Sequence, residues 1–210
     1  MNRRVLAATG CVLVACALLI ATLVAMFGHP PIDDALVADM HEWRDGPLGE
    51  LFVWATRIGN FGVVAPLIAG LVLVLLALRR IGAAALLGCA TAAVAILNPL
   101  TKNVFDRARP NLDPEFALTS FSMPSGHASS SAAFAFALLL GTRTRRERIV
   151  VGTIAVAFTL IVGLSRPVLG AHWPSDVLAG WAEGAGIAFL LAAWLVPWRA
   201  EAQADMHVTD

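Results

Sequence analysis

Six apolar stretches, each of membrane-spanning or near-spanning length, limit what this chain can fold into. They run from Val5 to Phe27, Phe61 to Leu78, Ile81 to Leu97, about Ala128 to Leu140, Ile149 to Leu164 and Val177 to Val196. A hydrocarbon core of roughly 30 Å accepts about 20 apolar helical residues, and inside lipid each backbone N–H and C=O must be satisfied within the protein. The expected fold is therefore all-α, a six-transmembrane-helix bundle. Hydrophobic residues make up 58% of the 210 and charged residues 14%, a balance far from that of a water-soluble domain. The fourth stretch is short for a bilayer and is expected to take the polar turn Pro124 to His127 as its first residues. No repeat or linker divides the chain, so residues 1–210 read as one integral membrane domain.

A long early connection runs from Gly28 to Glu50. After Pro30-Pro31, the residues Ile32, Leu36, Met40 and Trp43 recur at helical spacing, which predicts a short interfacial helix between the first two spans. Asp33, Asp34, Asp39 and Glu42 would form its polar side, and structural cover is a simpler reading for it than a lid. At the N-terminus, Met1 to Arg4 ahead of apolar sequence has the look of a signal peptide, and Leu13-Val14-Ala15-Cys16 that of a lipoprotein box. The apolar run continues well past Cys16, which favours an uncleaved first helix. Cys11, Cys16 and Cys89 all fall within predicted helices and read as buried small hydrophobes, with no disulfide framework or metal site implied. The segment from Trp198 onward, with His207, reads as a polar tail.

Net charge is zero, which gives no reason to expect a nucleic-acid partner. The distribution of charge says more. Alternating connections place Arg3, Arg4, Arg79, Arg80, Arg143, Arg145, Arg146, Arg148 and Arg199 on one face and Arg44, Lys102, Arg107, Arg109 and Arg166 on the other. The positive-inside rule makes the first face cytoplasmic, with both termini there.

Three polar islands interrupt the apolar sequence, and all three fall on the outer face: Lys102 to Pro110, Pro124 to His127, and Ser165 to Asp176. In the first, Lys102 and Arg109 are seven residues apart and would share a helix face if the third helix continued outward, with Pro110 ending it. Lysine and arginine are the usual partners of a phosphate dianion, though basic residues at a membrane surface also reach for lipid headgroups. The second island opens the fourth helix, where free backbone N–H groups bind anions and Gly126 admits close approach. Ser125 can either cap that helix or donate to a phosphate oxygen. Ser129, Ser130 and Ser131 behind it suit interhelical hydrogen bonding.

The third island is the most specific. His172 and Asp176 stand four apart at the start of the last helix, so the carboxylate can hold one imidazole nitrogen and leave the other free to attack. Arg166 adds a third cation. Neither His127 nor His172 belongs to a recognisable metal-ligand spacing, so no metal or cofactor is expected. Glu183, an intramembrane carboxylate about two turns beyond Asp176, reads equally as functional or as a hydrogen-bonded structural group. Gly180 and Gly184 read as a close helix contact, and Asp106 with Arg107 as a local ion pair.

Taken in order, Lys102, six residues, Arg109-Pro110, then Pro124-Ser125-Gly126-His127, then Ser165-Arg166, five residues, His172, three residues and Asp176 resemble the full signature of the type 2 phosphatidic acid phosphatase family. The resemblance covers the second half of the chain. It implies a metal-free membrane phosphatase acting on a lipid phosphate or diphosphate. By that resemblance His172 is the nucleophile, Asp176 orients it and His127 protonates the leaving oxygen, while Lys102, Arg109, Ser125, Gly126 and Arg166 hold the phosphoryl oxygens. Pro167-Val168 departs from the aromatic residue that relatives often carry after the arginine, without touching a catalytic position. The expected setting is the outer face of a cytoplasmic membrane. Undecaprenyl diphosphate is the leading substrate, with phosphatidylglycerol phosphate, phosphatidic acid and lipid A phosphate as alternatives. Phosphate transfer to another acceptor is the rival reaction, and a transporter or silent binding protein the rival class.

Overall fold

The first apolar stretch forms helix α1 (Arg3–Phe27), opened by Asn2, whose side-chain oxygen accepts the Val5 N–H at 3.0 Å. In the computed structural model, which describes residues 2–196, seven further α-helices follow: α2 (Pro31–His41), α3 (Gly49–Ile58), α4 (Phe61–Ala77), α5 (Ile81–Phe105), α6 (Gly126–Leu140), α7 (Arg145–Val168) and α8 (Pro174–Leu195). Among the described residues there is no strand. The expected tail from Trp198, with Arg199 and His207, lies outside the described residues.

The six expected spans resolve differently. Helices α1, α5, α7 and α8 are each long and apolar enough to cross a membrane, and α3 with α4 makes a bent fifth candidate with an angle of 59° between its halves. Helix α6, at 15 residues, extends about 22 Å, short of a hydrocarbon core. It begins at Gly126, inside the second island, as the sequence predicts. Large apolar side chains such as Leu19, Leu73, Ile154 and Trp194 face outward, as they do when lipid is the solvent. Cys11, Cys16 and Cys89 are also exposed, on outward faces of their helices, which corrects their reading as buried residues.

Helix α8 is the axis of the bundle, with α1 and α6 packed along it and α5 and α7 outside α6. Its small residues permit this. A Cβ on Gly184 would stand 2.0 Å from the Ser129 carbonyl oxygen and one on Gly180 2.6 Å from that of Ser125, so α6 and α8 approach as closely as the glycine pair predicts. That contact carries the second island onto the third. At the opposite end Arg80 donates to the Gly141 carbonyl at 2.8 Å and pairs with Glu147 at 3.0 Å, tying the α4–α5 turn to the α6–α7 turn. The three islands therefore share one end of the bundle and the arginine-rich turns the other.

Helix α2 occupies the predicted position between the first two spans, but it packs on α7 and α8, and Asp33 on its supposedly exposed acidic side is only 2% exposed. Helix α3 is an additional element that apolar run length does not mark.

Candidate active site

Lys102 occupies the last turn of α5, which stops at Phe105 because Asp106 adopts the left-handed conformation, φ 47°. Arg109 consequently leaves from a loop, and the shared helix face expected for Lys102 and Arg109 does not form. They converge by another route. Lys102 Nζ donates to the carbonyls of Phe121 (2.8 Å) and Ser122 (3.1 Å), and Arg109 donates to those of Ser120 (2.5 Å), Phe121 (2.9 Å) and Ala171 (2.7 Å). Both cations thus brace the segment that leads into α6. Among the described residues their partners are neutral groups, so no direct contact cancels either charge.

His172 precedes α8 and sits in the turn that follows α7, so the i, i+4 pair with Asp176 is made by a turn and a helix start rather than within one helix. Asp176 is fully buried in the first turn of α8, and its Oδ2 accepts the Trp173 N–H at 2.9 Å. The same oxygen lies 3.4 Å from His172 Nδ1 and takes the Ser122 hydroxyl hydrogen bond. Arg109 Nη1 stands 2.7 Å from His172 Nε2. A guanidinium only donates, so Nε2 is the acceptor and the imidazole proton is on Nδ1, facing Asp176 and the Ser122 oxygen at 3.3 Å. Burial pushes the His172 pKa well below the ordinary imidazole value, and the charges of Arg109, Lys102, Arg166 and His127 push the same way. The ring is neutral at neutral pH, with its lone pair directed at the cations. Burial also draws Arg109 down to about 10, against the attraction of Asp176, which leaves it cationic.

The second half of the site hangs on Thr56 of α3. Its carbonyl accepts from His127 Nε2 at 3.2 Å, and its hydroxyl is bonded by Arg166 Nη1. His127 therefore carries its proton on Nε2. Arg166, 3% exposed, also accepts through its own carbonyl from the N–H groups of Ala171 (2.9 Å) and His172 (3.4 Å), so the arginine and the histidine of the third island are held as one turn. Ser125 occupies the cap position of α6 but its side chain makes no capping bond; among the described residues its buried Oγ has no hydrogen-bond partner. Of the two readings open for that serine, capping is not the one its side chain adopts. A Cβ on Gly126 would lie 3.1 Å from Asn98 Oδ1, so glycine keeps the mouth of α6 open.

Glu183 is 8% exposed and accepts from Asn98 Nδ2 (2.9 Å) and Ser129 Oγ (2.6 Å), with Thr101 Oγ1 at 3.4 Å. Asn98 reaches on to the Pro124 carbonyl at 3.4 Å. The carboxylate therefore braces the underside of the second island from within the bundle, the structural alternative of its two readings.

The signature of the three islands is thus one cluster of interacting side chains. A family model for the PAP2 superfamily matches residues 83–200, more than half of the chain and all three islands. The chain belongs to the PAP2 superfamily. An undecaprenyl-diphosphatase of Sulfolobus acidocaldarius is 34% identical over 149 residues, 68% of each chain. A lipid A 1-phosphatase of Rhizobium johnstonii is 39% identical over 109 residues, 46% of this chain and 41% of that relative's length. The crystal structure of a transmembrane PAP2-type phosphatidylglycerolphosphate phosphatase from Bacillus subtilis superimposes with a TM-score of 0.77 at 25% identity, covering 87% of this chain and 94% of the other. These PAP2 relatives are named as phosphatases or a diphosphatase, and phosphatase is the enzyme class of this chain as well.

Four residues of this PAP2 site are not assigned to it by the sequence: Asp33, Thr56, Ser122 and Arg107. Arg107, expected to pair with Asp106, instead donates to Asp176 Oδ1 at 2.6 Å and Asp33 Oδ2 at 2.7 Å. The spare arginine two positions before Arg109 is a usable signal. Nothing local marks Asp33 or Thr56, whose partners lie 74 and 110 positions away.

Proposed function

We propose that this chain, as a single domain, hydrolyses the phosphate or diphosphate end of a membrane lipid through a phosphohistidine on His172, with undecaprenyl diphosphate as the leading substrate. The observation that carries this reading is the setting of His172, with Nδ1 3.4 Å from Asp176 Oδ2 and Nε2 2.7 Å from Arg109 Nη1, which assigns the proton to Nδ1 and the lone pair to Nε2. Arg109 would swing from Nε2 onto the phosphoryl oxygens when phosphate enters. Nε2 attacks phosphorus, the bond to the leaving oxygen breaks, and His127, taken to the imidazolium by the bound phosphate dianion, gives that oxygen the proton on its free Nδ1 while Nε2–H stays on the Thr56 carbonyl. Water then attacks the phosphohistidine, loses its proton to His127 and releases phosphate as the P–N bond breaks. Lys102, Arg109, Arg166, Ser125 Oγ and the Gly126 end of α6 neutralise the equatorial charge, which is where phosphoryl transfer needs help. The donors around His172 are cations and hydroxyls, a set suited to an anion and not to a metal ion.

The lipid part of the reading rests on a cleft of about 810 Å³ between α4 and α5, which starts at Gly126 and His127 and runs past Val64, Ala92 and Ala95 to Val72 and Gly88. Its walls are largely apolar, suiting a chain that stays in the bilayer. The relative from Sulfolobus favours an undecaprenyl diphosphate, and the similar Bacillus structure supports phosphatidylglycerol phosphate as the second substrate. The arginine-rich turns at the far end support the site on the outer face of a cytoplasmic membrane with both termini inside. The partner is thus a membrane lipid and no nucleic acid.

The test is phosphate release by detergent-purified protein, in EDTA, from undecaprenyl diphosphate, phosphatidylglycerol phosphate, phosphatidic acid and lipid A. The expected result is release from at least one lipid that vanishes in His172→Ala. Release that survives the substitution would remove His172 as nucleophile, and phosphate appearing on an added lipid or sugar hydroxyl would make the enzyme a transferase.

A further inference from the structure

Support of His172 engages one oxygen of Asp176. The other belongs to a buried relay that reaches α2. Arg107, 8% exposed, donates from Nη1 to Asp176 Oδ1 at 2.6 Å and from Nη2 to Asp33 Oδ2 at 2.7 Å. Asp33 is held in turn by α8: its Oδ1 accepts the Ser175 N–H at 3.0 Å and its Oδ2 the Ser175 hydroxyl at 2.5 Å. Arg107 Nη1 also reaches the Ser175 oxygen at 2.7 Å, and Nη2 meets His29 Nδ1 at 3.0 Å. His29 is fixed by Asp34 at 2.9 Å on its far nitrogen and by the Trp173 ring at 3.9 Å between centroids.

We propose that Asp33 and Arg107 are positioning residues for phosphoryl transfer, acting through Asp176 on His172. Two physical arguments carry this. The first is geometric. With Oδ1 held by a rigid guanidinium fork, the Asp176 carboxylate cannot rotate, and Oδ2 stays on the side of His172 Nδ1. The second is electrostatic. A lone arginine against Asp176 would cancel the carboxylate that has to favour the positive imidazole formed on phosphorylation. Asp33 shares the same guanidinium, so the Asp33–Arg107–Asp176 trio retains one net negative charge beside His172. Removing Asp33 commits Arg107 wholly to Asp176; removing Arg107 leaves two buried carboxylates facing one another. Both changes weaken the support of His172 while leaving the phosphate-binding cations in place. Helix α2 thereby becomes part of the reaction centre rather than a cover, through contacts that span 74 residues of sequence.

The proposal rests on His172 as nucleophile, and its test keeps the two readings apart. Full-length wild type, Asp33→Asn, Arg107→Lys, Arg107→Gln and the Asp33→Asn/Arg107→Gln double variant are compared for phosphate release from the preferred lipid and for rapid-quench formation of 32P-phosphoenzyme. Asp33→Asn is expected to lower kcat and the rate of phosphoenzyme formation about tenfold with KM changed by less than about twofold, and Arg107→Gln about a hundredfold, the size expected for a misplaced catalytic group. Arg107→Lys, which keeps the charge and loses the fork, should fall between wild type and Arg107→Gln. The double variant should be no slower than Arg107→Gln by more than about threefold, since both act along one path.

Asp33→Asn with wild-type kcat, a loss confined to KM, or a double variant slowed by the product of the single effects would overturn the relay. If Arg107→Gln does not fold, the isosteric Asp33→Asn decides alone. Absence of phosphoenzyme in the wild type, or activity retained by His172→Ala, would remove the phosphohistidine reading itself and the relay with it.

Discussion

Arg109 Nη1 lies 2.7 Å from His172 Nε2, so the guanidinium occupies the position that the proposed mechanism gives to the incoming phosphorus atom. The same nitrogen donates to the Ala171 carbonyl at 2.7 Å, and the other nitrogens hold Ser120 and Phe121. On the proposed mechanism the arginine covers the attacking nitrogen, and its planar fork suits it to clamp a phosphate that displaces it.

Replacing Arg109 should therefore uncover His172 while removing a clamp. Arg109→Lys is expected to lower kcat/KM by about a hundredfold, and to make His172 more reactive toward diethyl pyrocarbonate in the absence of substrate. Mass-spectrometric rates of carbethoxylation at His172 measure the second effect. A rate equal to that of wild type would mean that Arg109 does not shield the ring.

Among the described residues the buried Ser125 Oγ has no partner to lose, so Ser125→Ala should leave thermal stability in detergent unchanged or raise it by up to about 1 kcal/mol. If that hydroxyl waits for a phosphate oxygen, the same variant should bind inorganic phosphate about tenfold more weakly, a typical loss for one hydrogen bond to a charged group. Inhibition by phosphate checks the second effect. A parallel fall in stability and affinity would return Ser125 to a structural role.

The pH dependence follows from the direction of the His172 shift. Burial, followed by the nearby cations, lowers its pKa, so the neutral, attacking form persists as the pH falls through the ordinary imidazole range. Phosphoenzyme formation should hold its rate there and decline only at more acidic pH. In the free site His127 carries one proton, on Nε2; an anionic phosphate beside it favours a second, which the ring must hold to assist departure of the leaving group, so activity should fall on the alkaline side and the profile be bell-shaped. Rapid-quench rates from pH 4 to 9 measure both limbs, and an acid limb centred at the normal imidazole value would contradict the environment described for His172.

At Gly184 a side chain would meet the Ser129 carbonyl oxygen at 2.0 Å, a contact with backbone that no rotamer relieves. Gly184→Leu should destabilise the bundle by about 3 kcal/mol or more, read as a loss of monodisperse protein and a lower Tm in detergent. The outward Cys89→Ser, at a face exposed to lipid, should leave both measures close to wild type.

Much of the candidate site is legible in the sequence, because it is written in short segments. Lys102, Arg109, Ser125, Gly126, His127, Arg166, His172 and Asp176 lie in three islands that the apolar sequence isolates, and the alternation of connections puts those islands at one end of the bundle. Local chemistry misleads in other places. Asp106 takes a left-handed conformation and ends α5, so Arg109 reaches the site by a loop rather than along a helix face. Arg107 turns from its sequence neighbour to Asp33 and Asp176. Thr56 joins His127 to Arg166 from α3, a helix that apolar run length does not mark.

By itself the sequence determined that the chain is helical and membrane-bound, and it singled out the polar groups that the fold gathers at one end of the bundle, since hydrophobic run length and clustered polar residue types are properties of contiguous segments. Only the tertiary structure decided which side chain holds which. A guanidinium or a carboxylate has several possible partners of nearly equal strength. The choice among them is made where packing excludes water and brings α2, α3 and the loop after α5 against the ends of α7 and α8. Asp33 could have faced solvent with its acidic neighbours; burial against Ser175 and Arg107 made it part of the support beneath His172.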